Sequence, residues 1–290
     1  MGPLEFGRPR VGLVLGAGAA KCWAHIGVIR CLREAGIPID VVTGVSSGAA
    51  MAAFCAADCM YRVEEFTSRH GTVRQTLEYF DLSFDGKAIL GGKGFIRWLS
   101  ELLPVRRFDQ LRKPLGVVVT NISDMTELHI TEGALFPALR ASIAVPGFMS
   151  PGEWEGKQLM DGALLNPLPI DLARSLGSDL VIAVDLFEEA SSAPRAGTAA
   201  GIINRSIETM LNRIHVSNLS RNPPDVLLRP AMADFGFIQY HRTSEAIEIG
   251  YETVRARLPE IHALFNRPFL RGRGLILNSR FFKGGKRSAA

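Results

Sequence analysis

The chain has 290 residues, 47% hydrophobic and 21% charged, with a formal net charge of +4. This length supports one large domain with an ample core, the composition is that of an ordinary globular protein, and no apolar run approaches the length of a membrane-spanning helix. Seven basic residues (Arg267, Arg271, Arg273, Arg280, Lys283, Lys286, Arg287) fall after residue 266 with no acidic residue among them, so the body of the chain is near neutral and lacks the basic balance of a nucleic-acid-binding fold.

An apolar run at 10–16, closed by glycine, predicts a buried strand. The small residues Gly16-Ala17-Gly18-Ala19-Ala20-Lys21 follow as a loop, then a helix from Trp23 to Glu34, stopped by Gly36 and Pro38. A second strand over 40–44 runs into a helix over 47–57 that is apolar on all sides, which predicts burial. Strand, helix and strand in this order form a βαβ unit, hence parallel strands in a covered sheet. Residues 60–113 alternate helical and irregular stretches, with a turn at 91–94 before a helix through Leu103. A strand over 115–121 has a hairpin partner over 127–131, and a helix over 134–143 is broken by Val145-Pro146-Gly147. After a turn at Pro151-Gly152, residues 157–160 lead into Asp161-Gly162-Ala163. A helix near 169–175, a strand over 179–184, a small polar stretch at 188–200 expected to be mobile, a helix over 201–219, a strand over 226–229 and a helix over 243–257 complete the compact part. With no linker to divide it, the chain is expected to form one domain over 8–260, followed by a basic, aromatic tail over 267–290. Residues 1–7 lack the apolar core of a signal peptide, so a cytoplasmic location is expected.

The four cysteines, Cys22, Cys31, Cys55 and Cys59, have no histidine partners at metal-ligand spacing. They are expected to be reduced and buried, with no metal bound.

Chemistry concentrates at three places. Gly44-Val45-Ser46-Ser47-Gly48 has the form of a nucleophile elbow, in which a strand turns sharply into a helix with a serine at the tip. Gly44 keeps bulk out of the turn, Gly48 lets the helix pack closely, and Ser46 stands at the positive end of the helix dipole. As a bare pattern it fits an ordinary glycine-rich turn equally well. The loop 16–21 begins like a dinucleotide cradle, but Lys21 replaces the third glycine and no acidic residue closes the next strand. Its alternatives are an oxyanion hole built from backbone N–H groups and a tight turn that only needs small residues. A base for Ser46 is less obvious. Only one strand precedes the elbow strand, unlike an α/β-hydrolase, and His215, His241 and His262 lie in no glycine-rich catalytic loop. His25 is expected to be structural, bonded to nearby backbone. Asp161 is either a base with a pKa raised by desolvation or the first residue of an Asx-turn.

Taken together, the run from Gly16 to Ile29, the block Gly44-Val45-Ser46-Ser47-Gly48-Ala49, Asp161-Gly162-Ala163, and the flanking Ala138-to-Phe148 and Leu168-Pro169-Ile170 stretches resemble the patatin-like phospholipases, most closely the bacterial, cytoplasmic-type members. The resemblance covers roughly residues 10–255. It implies a three-layer α/β/α fold with a mostly parallel central sheet and a Ser–Asp dyad without histidine. Ser46 is then the nucleophile and Asp161 the base. The N–H groups near Gly18 and Ala19 form the oxyanion hole, with Lys21 as the loop's basic residue, and no cofactor is involved. The implied substrate is a phospholipid, lysophospholipid or simpler acyl ester, with pocket walls expected from 60–110 and 186–205. Two positions depart from the family pattern, Ala17 and Cys22, the latter standing where glycine is usual. A positive φ at Cys22 would cost about 1 kcal/mol and would favour a weakly active regulatory or lipid-binding member. The tail mixes aromatic and basic residues, which suits an anionic lipid surface or a plain solubilising end.

Overall fold

β-branched runs assemble the centre of the molecule. In this computed structural model, which describes residues 7–69, 91–187, 198–232, 235–236, 239–265, 269–270 and 275–276, five strands pair in parallel. In spatial order they are β3 (Leu115–Asn121), β2 (Val41–Val45), β1 (Val11–Leu15), β7 (Leu180–Val184) and β8 (Val226–Leu228). β4 (Thr126–Ile130), β5 (Gly152–Trp154) and β6 (Lys157–Asp161) join them antiparallel on the β3 side. The parallel strands are buried along nearly their whole length, as expected of strands covered on both faces.

Alternation along the strands separates two cores. Leu13, Leu15, Val117, Val119 and Ile182 face a large cluster with α1 (Ala24–Glu34), α2 (Ser47–Ala56) and α8 (Thr243–Phe265). Val14, Val45, Val118, Val181 and Ala183 point the other way, toward α6 (Ile170–Ser175) and Leu219 of α7 (Ala199–Arg221). Helices therefore cover both faces of the sheet, giving the three-layer α/β/α arrangement with a mostly parallel sheet. α3 (Met60–Arg69), α4 (Lys93–Leu102) and α5 (Leu135–Ser142) extend the first layer.

The pairing of β3 positions the site. β4 occupies one edge of β3 from Val117 to Asn121. On the other edge β2 covers Leu115 to Val118, and β6 then takes over from Val119 to Asn121. β2 runs parallel to β3 and β6 antiparallel, so their carboxyl ends meet head to head. Val45 lies opposite Val118, and Asp161 lies opposite the next residue, Val119.

Several expected boundaries move. α8 continues to Phe265 rather than stopping at 257. Pro259 is carried inside it, and Ile261, fully buried, holds the last turns against the core. The expected turn at 151–152 runs into β5, because Gly152 pairs with Leu159. Residues 199–200, expected to be mobile, belong to α7, while the rest of that stretch, 188–197, lies outside the described residues. So do 70–90 of the expected pocket wall. Within the tail, Phe269–Leu270 and Leu275–Ile276 pair as short antiparallel strands, and the rest of 267–290 lies outside the described residues.

Candidate active site

β1 and β2 are parallel neighbours with Leu15 opposite Gly44, so the loop after β1 and the turn after β2 leave the sheet at the same end. That end is where open α/β sheets place their sites. The turn needs its glycines for space. A Cβ on Gly44 would stand 2.6 Å from the Gly48 carbonyl oxygen, and one on Gly48 would stand 2.3 Å from the Leu15 carbonyl oxygen. The first turn of α2 therefore lies against the backbone that starts the glycine-rich loop. Between them Ser46 adopts φ 56° and ψ −135°, a left-handed backbone region in which a residue with a Cβ is strained by about 1–3 kcal/mol.

Ser46 and Asp161 are brought together. The Ser46 hydroxyl donates to Asp161 Oδ2 at 2.6 Å, with Ser46 7% and Asp161 3% exposed. The other carboxylate oxygen, Oδ1, accepts from the Ala163 N–H at 2.8 Å and caps a 3-10 turn over Gly162–Leu164. One carboxylate oxygen is thus on the turn and the other on the serine. Burial pushes its pKa up to about 7, against the opposing pull of the Ser46 hydroxyl and the Ala163 amide. The backbone around it is fixed as well: Asp161 N–H donates to Ala144 O at 3.0 Å, and the Thr120 hydroxyl donates to Asp161 O at 3.0 Å.

The loop 16–21 resolves into a short turn followed by a 3-10 helix over Ala19–Trp23. Gly16 and Ala17 donate to Val184 O and Pro167 O, while the Gly18 and Ala19 N–H groups have no hydrogen-bond partner among the described residues. Lys21 is buried, and its N–H donates to Gly18 O at 3.0 Å. The concern over Cys22 is overturned. It lies within the 3-10 helix, and the positive φ of this loop falls on Ala19 at 47°. The Cys22 thiol is buried, and burial pushes its pKa up to about 12, which removes the thiolate character that redox sensing needs. Sequence reading missed the positive φ at Ala19, and an alanine carries no signal for it.

No described histidine serves Ser46. His25, fully buried, donates from Nε2 to Gly16 O at 3.0 Å, and burial pushes its pKa down to about 4, so it is a neutral brace under the loop. His215 Nε2 pairs with Asp185 at 3.0 Å, and His241 and His262 are exposed. Sequence reading also missed Ser142, whose hydroxyl accepts from the Ser46 N–H at 2.9 Å and donates to Val118 O at 2.8 Å. Among the described residues, Glu127, His129 and Asp171 bring metal-ligand atoms within 4.8 Å of one another. Their bonds close on themselves: Glu127 takes His129 at 2.6 Å, and Asn166 Nδ2 spans Glu127 and Asp171 at 2.8 and 3.0 Å. The described parts of all four cysteine environments are those of buried free thiols.

Residues 13–174 match the family described as patatin-like phospholipase. Among similar proteins, the patatin-like phospholipase domain-containing protein 7 of Rattus norvegicus is 34% identical over 183 residues, 61% of this chain and 13% of that protein. An uncharacterized NTE family protein of Mycobacterium tuberculosis is 37% identical over 180 residues, 61% of this chain and 49% of its own length. Lysophospholipase nte1 of Aspergillus fumigatus is 29% identical over 269 residues, 83% of this chain and 18% of its own length. The chain thus spans half or less of each of these relatives. VipD from Legionella pneumophila has a similar fold, with a TM-score of 0.50 at 15% identity over 89% of this chain and 70% of that one. With the family match covering more than half of a chain that also carries the family's three blocks at one end of its sheet, the protein belongs to the patatin-like phospholipase family.

Proposed function

We propose that this protein is a serine hydrolase of lipid acyl esters, of phospholipase or lysophospholipase type, working through a Ser46–Asp161 dyad. The observation that carries the reading is the buried 2.6 Å bond from the Ser46 hydroxyl to a carboxylate whose pKa is pushed up to about 7. A carboxylate with an ordinary pKa is a poor base for a serine, and desolvation brings it toward the working pH. Asp161 accepts the hydroxyl proton as Ser46 Oγ attacks the acyl carbon, and returns it to the departing alcohol. Water then takes the alcohol's place, giving a proton to Asp161 as it attacks the acyl carbon; the bond from that carbon to Ser46 Oγ breaks, and Asp161 returns the proton to Oγ as the acid leaves. The Gly18 and Ala19 N–H groups, beside the first turn of α2, receive the oxyanion, and Lys21 adds positive charge to that loop. The family match and relatives named as lysophospholipases support a lipid ester as substrate. The basic, aromatic residues 267–290 are proposed to contact anionic lipid.

A fluorophosphonate probe tests the nucleophile. The protein is expected to label at one site and Ser46→Ala is expected not to label. Labelling that persists in Ser46→Ala excludes this serine, and absence of labelling together with absence of p-nitrophenyl ester hydrolysis favours a regulatory or lipid-binding role instead.

A further inference from the structure

The end of β2 is not bonded to β3 as a continuing ladder would be. At the seam where β2 gives way to β6, a hydroxyl is inserted between the two backbones. The Ser46 N–H donates to Ser142 Oγ at 2.9 Å, and Ser142 Oγ–H donates in turn to Val118 O at 2.8 Å. Val118 is the residue opposite Val45 and next to the residue opposite Asp161. Ser142 ends α5 and is fully buried. Gly162 passes the same carbonyl so closely that a Cβ there would stand 2.3 Å from Val118 O. One hydroxyl thus ties the strained backbone of Ser46 to the strand that also registers Asp161.

We propose that Ser142 is the positioning residue that holds Ser46 within reach of Asp161. This rests on the hydrolase reading above. It touches no reacting atom: its bonds are to the Ser46 amide and the Val118 carbonyl. Its hydroxyl fixes the Ser46 N–H, and with it the φ 56° conformation that aims Oγ at Oδ2. It also occupies the Ser46 amide, whereas the Gly18 and Ala19 amides have no partner among the described residues. Without the hydroxyl, the Ser46 N–H and Val118 O would be buried and unsatisfied, and the turn would relax toward whatever conformation pairs them. A displacement of the nucleophile by about 1 Å is worth on the order of 100-fold in rate.

The test compares three variants on a soluble p-nitrophenyl ester and on the fluorophosphonate probe. Ser142→Ala is expected to lower kcat and the labelling rate by about 10- to 100-fold while KM changes by less than about twofold, because the lost bonds are to the Ser46 amide and the Val118 carbonyl and not to substrate. Ser142→Thr, which keeps the hydroxyl, is expected to recover most of the rate. Thr43→Val is the control for stability. Thr43 lies on β2, three residues before Ser46, and its buried hydroxyl donates to Pro169 O at 3.1 Å. Thr43→Val should lower the melting temperature as Ser142→Ala does and leave kcat unchanged. A wild-type protein that labels and turns over, with Ser142→Ala equally fast, overturns the positioning role alone. Equal kcat losses in Ser142→Ala and Thr43→Val also overturn it, since the effect would then be one of stability. A wild-type protein that neither labels nor turns over overturns the hydrolase reading, and this inference falls with it.

Discussion

Asp161 divides its two oxygens between a turn and a serine. Oδ1 caps the 3-10 turn through the Ala163 amide and Oδ2 takes the Ser46 hydroxyl, so the carboxylate is aimed by the turn that it caps. Asp161→Asn keeps the shape and is expected to retain the fold while lowering turnover at least 100-fold; near-wild-type rates in steady-state kinetics would exclude the dyad. The raised pKa sets the direction of the pH dependence. In the proposed dyad the base is the ionised form, so kcat/KM is expected to fall as pH drops below about 7, and a flat profile from about pH 5.5 to 8 contradicts this assignment. Stability moves the opposite way. A carboxyl whose folded pKa is raised favours folding below its unfolded pKa of 3.8, and that contribution is lost as pH rises through about 7. At higher pH the ionised, buried group costs on the order of 4 kcal/mol, so Asp161→Asn should melt above wild type at pH 8 and show a smaller gain at pH 5.

At the scale of elements, the site depends on close backbone approaches that only glycine permits. The turn after β2 is one, with Gly48 pressed against Leu15 O. The crossing of α1 and α8 is another. A Cβ on Gly27 would stand 1.8 Å from Ile247 O, and one on Gly250 would stand 2.0 Å from Ala24 O. α1 carries His25, the brace under Gly16, so this crossing also seats the loop. Gly250→Ala forces the helices apart and is expected to cost about 3 kcal/mol, read as a lower urea midpoint with unchanged slope. An unchanged midpoint would mean that the crossing relaxes without strain. The glycines of this crossing lie more than two hundred residues apart, and neither α1 nor α8 by itself shows which face meets the other.

At the scale of the molecule, the parallel strands carry Ser46 and the glycine-rich loop, while the antiparallel arm of the same sheet carries Asp161. The sheet is the rigid frame that spans the 115 residues between the two side chains. The tail after α8 stands apart from this arrangement in composition. Removing 267–290 is expected to leave hydrolysis of a soluble ester unchanged and to abolish co-sedimentation with vesicles containing anionic phospholipid. Undiminished sedimentation would end the idea that this segment meets the membrane.

The sequence by itself determined what depends on local pattern. The β-branched runs, the small-residue turns and the apolar α2 identified the parallel strands, the strand-to-helix turn and the buried helix within a residue or two, because strand propensity, glycine freedom and burial are written in short windows. The three blocks, in their order and spacing, carried the family. The tertiary structure decided what depends on pairing between distant segments. That β6 succeeds β2 along one edge of β3, placing Asp161 beside Ser46, is a matter of register, which no window of the chain contains. The same is true of Ser142, a polar residue at the end of an ordinary helix until Val118 and Ser46 close around it. It holds for Cys22 and Ala19 as well. The positive φ of the loop falls on Ala19, and the identities of the residues within it do not say so.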